Sequence, residues 1–334
     1  MLDLFGWVSV GLAGATGLFV AVLVARRIWL MRDERSRAES EERLRPFALA
    51  LLDGEPAPAL STRDAEVFAS IVARYSAHIR GEAEREIGRF FEESGAVESS
   101  LAALRDRRAW RRAEAAYALG DMASTQAIPP LLRALSDSSR DVRGAAARSL
   151  GRLGADAAVE PLVRALAHEE VPRSVAGQAL LELGDATLPA LRVLATDEDA
   201  GLRETAVELL GILGSPADEP ILVQRLRDSS AEVRARATRA LGRLAAAKSA
   251  DAVRTALEDR IPFVRAAAAR AIGEIGDRGS AGALLELAED GSHDAAQAAA
   301  RALARVDARI LQEADRRRSG PHVAEFADRV AAGL

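Results

Sequence analysis

Two patterns of apolar and polar positions divide the chain. Residues 4–25 form a run of 22 positions without a charge, long enough at about 1.5 Å per residue to cross a bilayer core of about 30 Å. From about residue 101 the pattern becomes periodic. Val142, Ala146, Leu150 and Leu153 keep the i, i+4, i+8, i+11 spacing of one helix face. Gly154, Gly184, Gly214 and Gly276 each follow a last apolar residue, where a helix ends. Pro130, Pro161, Pro189 and Pro220 then open a second, shorter helix that closes near Leu135, Leu166, Leu194 or Leu226.

The hairpin recurs. Asp137, Val142-Arg143, Ala146 and Leu150-Gly151 return as Asp197, Leu202-Arg203, Ala206 and Leu210-Gly211. They return again as Asp228, Val233-Arg234, Ala237 and Leu241-Gly242, then as Asp259, Val264-Arg265, Ala268 and Ile272-Gly273. The aligned arginines are 112, 143, 173, 203, 234 and 265, with steps of 31, 30, 30, 31 and 31. One hairpin cannot bury its own apolar face, so neighbours stack. The expected fold is all-α: a solenoid of about seven hairpins behind one transmembrane helix.

This pattern resembles HEAT repeats of the short class of about 30 residues per unit, also seen in phycobilisome lyase-like proteins. The whole layout resembles a bacterial family of membrane-anchored HEAT-repeat proteins. That resemblance implies a protein partner, and in particular a membrane-embedded family 2 glycosyltransferase that the chain would serve as an accessory subunit.

The expected organisation is an anchor over 1–31, a juxtamembrane helix and linker over 32–61 and an atypical helical cap over 62–100. The solenoid follows over 101–306, with capping helices over 307–334. Trp7 and Trp29 flank the span, and Arg26, Arg27, Arg32, Arg35 and Arg37 follow it with nothing basic before it. The positive-inside rule then places the N-terminus outside and the repeats in the cytoplasm, with membrane contact through residues 4–30. Asp53-Gly54-Glu55-Pro56-Ala57-Pro58 breaks the following helix, and Ser61 with Asp64 matches a capping box.

Composition narrows the chemistry. The chain has no cysteine, which excludes disulfides and thiolate metal sites, and its net charge is only -5. Residues 101–310 hold 29 basic and 30 acidic side chains, a balance that speaks against a nucleic-acid partner. Short HEAT repeats also build deoxyhypusine hydroxylase, whose metal is held by His-Glu pairs on first helices. Here Ala113 stands in the ligand histidine's place, and Gly144, Ser174, Glu204, Ala235 and Ala266 stand at the equivalents. His168-Glu169 is out of register, and the other histidines are His78, His293 and His322. The expectation is therefore no metal, no cofactor, no small-molecule substrate and no enzymatic activity.

The recurring aspartates read as braces that cap turns and meet a neighbouring arginine. One row reads as a site. Arg133, Arg164 and Arg192 share a position two residues before the closing leucine of three second helices, and Gln224 and Thr255 continue the row. Second helices of HEAT hairpins line the concave surface, so Arg133, Arg164, Arg192 and Gln224 are expected to face a protein partner there.

Overall fold

The computed structural model describes residues 38–51 and 82–310, with isolated positions at 53, 55, 64, 67, 68, 71, 72, 324 and 328. Among the described residues the chain is helices and 3-10 turns, with no strand. It divides into two compact units, Met1–Ala127 and Ile128–Leu334.

The first unit holds helix α1 (38–51), α2 (Glu82–Glu93), α3 (Ala96–Ala103) and α4 (Ala109–Asp121). Leu44, Ala48 and Leu51 line one buried stripe of α1, the spacing of an amphipathic helix. Phe68, Ile71, Val72, Ile87 and Phe91 are also buried. Phe90 sets its ring edge-on to Phe68 at 5.0 Å, a favoured aromatic geometry. Arg43 pairs with Asp64 at 2.6 Å.

The expected span, residues 4–25, lies outside the described residues. So do Ser61 of the expected capping box and most of the C-terminal cap. Among the described residues no helix is long and apolar enough to cross a membrane. This corrects the single-pass localisation with cytoplasmic repeats. The first described helix, α1, is interrupted by Glu39, Glu41, Glu42, Arg43 and Arg45, each costly in hydrocarbon.

The second unit is a stack of hairpins. Its first helices are α6 (Arg140–Arg152), α8 (Arg173–Glu182), α10 (Ala200–Leu213), α12 (Ala231–Arg243), α14 (Pro262–Ile275) and α16 (His293–Val306). Its second helices are shorter: α5 (Ile128–Ala134), α7 (Val159–Ala167), α9 (Leu188–Leu194), α11 (Glu219–Arg225), α13 (Ala250–Thr255) and α15 (Ala281–Leu287). Of the four expected terminal glycines, Gly154, Gly184 and Gly276 take the left-handed conformation. Gly214 is extended instead, because Ser215 and Asp218 form a capping box that starts the next turn at once.

Small residues set the spacing of the stack. A Cβ on Gly151 would lie 2.8 Å from the Ala179 Cα, and one on Gly211 or Gly242 would lie 2.8 Å from the Cα of Ala240 or Ala271. The fourth such contact, Gly273 against Ala302, is 3.1 Å. First helices therefore close to the short end of the usual interaxial range of about 8–10 Å. Successive second helices approach one another only sparsely. Packing between neighbouring hairpins in this unit is thus carried mainly by its first helices.

One seam departs from the rule. Between α8 and α10, Leu181 and Leu209 occupy the positions held elsewhere by the glycine and its facing alanine. Two leucines hold the helices apart, and this packing is the sparsest between neighbouring first helices of the unit.

Candidate functional site

The aspartate and arginine ladders are braces, as their register implies. Asp228 Oδ1 accepts from the Ser230 N–H, Asp259 Oδ1 from the Ile261 N–H and Asp290 Oδ1 from the Ser292 N–H, which fixes each turn. The same carboxylates receive the arginine of the preceding repeat. Arg203 holds Asp228 through two bonds of 2.8 Å, and Arg265 holds Asp290 through two of 2.8 Å. Arg234 holds Asp259 at 2.7 and 2.9 Å. A third guanidinium N–H of Arg203 donates to the Asp197 carbonyl at 2.9 Å, so one side chain ties two turns.

Burial raises the cost of ionising Asp228, but the Arg203 bonds and the Ser230 N–H outweigh it and hold the carboxyl below its usual value. Asp259 is lowered in the same way by Arg234. For Asp290 the Arg265 hydrogen bond dominates and the direction is again down.

The ladder loosens at Arg143 and Arg173. Position 168, where Arg143 would find its carboxylate, is a histidine, and Arg143 donates instead to the Glu170 carbonyl at 2.6 Å. Arg173 meets the exposed carboxylates of Glu169 and Asp199 at 3.0 and 3.2 Å.

The second-helix row is brought to one edge but not to one chemical state. Arg133 and Gln224 are exposed. Arg164 is exposed, with Glu160 at 3.9 Å. Arg192 donates Nε–H to Asp218 Oδ1 at 2.5 Å, and that aspartate is fully buried. Its hydrogen bond and charge raise the Arg192 pKa above the usual value. Arg192 is thus partly a brace between hairpins. Thr255 turns its hydroxyl back to the Ala252 carbonyl at 2.7 Å.

The first helices carry a second row that the sequence reading passed over. Arg239, Arg270 and Arg301 stand five residues after the aligned ladder position of α12, α14 and α16. Arg243 and Arg305 stand one turn further along. The signal was present in the same 31-residue register that exposed the ladder.

Ala113, at the position of a ligand histidine in the iron enzymes, is buried, and Ala235 and Ala266 are buried with it. His168 and Glu169 are exposed in the turn after α7, with Glu169 at a φ of 54°. Among the described residues no group of three or more His, Cys, Asp or Glu side chains gathers as a metal would require.

The sequence profile of HEAT repeats matches residues 97–181, 167–230 and 219–304. The chain belongs to the HEAT-repeat family. No curated protein matches it. Among solved structures, the HEAT-repeat chain is similar to one in the complex of CpcE and CpcF of phycocyanin lyase from Nostoc sp. The identity is 24%, covering 70% of this chain and 93% of that one, with a TM-score of 0.36. An engineered protein is 20% identical over 87% of both chains, with a TM-score of 0.42. Human deoxyhypusine hydroxylase in complex with glycerol is 21% identical over 81% of this chain and 98% of that one, with a TM-score of 0.33.

Proposed function

We propose that this HEAT-repeat chain is an interaction scaffold that binds a protein partner and carries out no chemistry of its own. The observation behind this reading is the run of first helices in the second unit, locked at close spacing by glycine and alanine and by buried Arg–Asp rungs. Such a stack offers a rigid, extended stripe of outward first-helix side chains, which suits recognition of another chain. The second-helix row of Arg133, Arg164, Arg192 and Gln224 serves as a subsidiary contact, with Arg192 already half committed to Asp218. No described residue speaks for the glycosyltransferase that the sequence resemblance implies, and the partner is identified by class alone.

The test is recovery of the tagged full chain from cells that make it naturally, after chemical cross-linking. The scaffold reading expects one protein in constant molar ratio with the chain. Recovery of the chain alone, at every cross-linker concentration, would refute it.

A further inference from the structure

We propose that the second unit hinges at the seam between α8 and α10, with α5 to α9 and α10 to α16 swinging as two bodies about the second-helix edge. The inference concerns the chain by itself and goes beyond the scaffold reading.

Two fastenings hold neighbouring first helices together in this unit, and only the α8–α10 seam lacks both. The first is the close glycine–alanine contact, present at Gly151–Ala179, Gly211–Ala240, Gly242–Ala271 and Gly273–Ala302. At the α8–α10 seam Leu181 and Leu209 stand in that register. The second is the buried two-bond rung that Arg203 makes with Asp228. Asp197 is in register with Asp228, but among the described residues it receives the Asp199 N–H at 2.8 Å and no arginine. Arg173 reaches Asp199 instead, through Nη2 alone at 3.2 Å, and the same nitrogen donates to Glu169 at 3.0 Å. The Arg173 and Asp199 side chains are 39% and 52% exposed. Water competes for such a bond, and little stability is lost when it opens. The α6–α8 seam lacks a carboxylate for Arg143 but keeps its Gly151–Ala179 contact.

The opposite edge of the same seam is fastened. Arg192 on α9 donates Nε–H to Asp218 Oδ1 at 2.5 Å, in the turn that opens α11. The other carboxylate oxygen accepts the Ser215 N–H at 3.1 Å, so Asp218 is itself held in place. Its carboxylate is fully buried and would lose its counter-charge if Arg192 withdrew, which keeps the pair closed. A seam tied along its second helices and loose along its first moves in one sense. The wedge between α8 and α10 widens and narrows on the first-helix side. A swing of about 15° on an arm of about 10 Å displaces a first-helix side chain by about 3 Å. Each body keeps its own first-helix stripe, and the seam sets the angle between the two.

Double electron–electron resonance on the full chain tests this. The chain has no cysteine, so introduced pairs alone carry the nitroxide labels. The pair R152C/R243C joins α6 to α12 across the seam. The control I212C/R305C joins α10 to α16 in the same register and over the same number of hairpins, with glycine–alanine contacts throughout. The seam pair should give a distance distribution about 3 Å broader than the control. Restoring the close contact with Leu181→Gly and Leu209→Ala should narrow it to the control's width. If that variant melts early, Arg192→Gln replaces it: freeing the second-helix edge should broaden the seam distribution further and leave the control unchanged. Equal widths for the two pairs would overturn the hinge. So would a folded L181G/L209A variant as broad as the parent, or an R192Q variant no broader.

Discussion

Replacing Arg203 by alanine should destabilise the second unit far more than the same change at Arg143, although the two occupy one register. The Arg203 and Asp228 side chains are 9% and 3% exposed and share two bonds of 2.8 Å. Arg203 also donates to the Asp197 and Glu198 carbonyls at 2.9 and 2.8 Å. Truncation leaves the buried Asp228 carboxylate with only the longer Arg225 contact at 3.4 Å, and breaking one partner of a buried pair costs about 3–5 kcal/mol.

Arg143 has no carboxylate across the repeat. It donates to the carbonyls of Glu170 at 2.6 Å and Asp137 at 2.8 Å, and water can replace it there. Its loss should cost about 1–2 kcal/mol. Urea titration followed by helical circular dichroism measures both. The double change Arg203→Met with Asp228→Leu should recover part of the loss, because an apolar pair needs no counter-charge although the Ser230 N–H loses its acceptor. Equal costs for Arg203→Ala and Arg143→Ala, or a double variant no better than the single, would refute the brace argument.

The depressed carboxyls fix a pH dependence. Asp228, Asp259 and Asp290 all titrate below the ordinary aspartate value. Their contribution is complete above about pH 4 and is lost as pH falls through the lower folded-state values. The urea midpoint should hold from pH 7 to about pH 4.5 and then drop; a flat midpoint to pH 2.5 would contradict this. Gly211→Ala should destabilise by about 1–3 kcal/mol, since its Cβ would meet the Ala240 Cβ at 2.5 Å. Gly144→Ala, with nothing within 4 Å, should stabilise by about 0.5–1 kcal/mol, and equal signs would show that first-helix spacing is not set by these contacts.

The hairpin repeat and its braces were legible because they depend on register alone. Steps of 30 and 31 residues aligned Arg203, Arg234 and Arg265 with the aspartates that they hold. The close packing of first helices was not legible. It depends on glycines meeting alanines about 30 residues away. Gly242 and Ala271 look like ordinary helix residues until the packing joins them. For the same reason Arg192 read as a free contact: its partner Asp218 lies 26 residues on, behind a turn.

A protein partner seated on the first-helix side of the second unit leaves a footprint there, read by hydroxyl-radical oxidation of the full chain with and without the cross-linked partner. Phe263 and Ile212 are 45% and 49% exposed on that side, while Val193 on α9 is 72% exposed on the second-helix side. The partner should protect Phe263 and Ile212 from oxidation and leave Val193 unchanged. Protection of Val193 with Phe263 and Ile212 still fully reactive would contradict it.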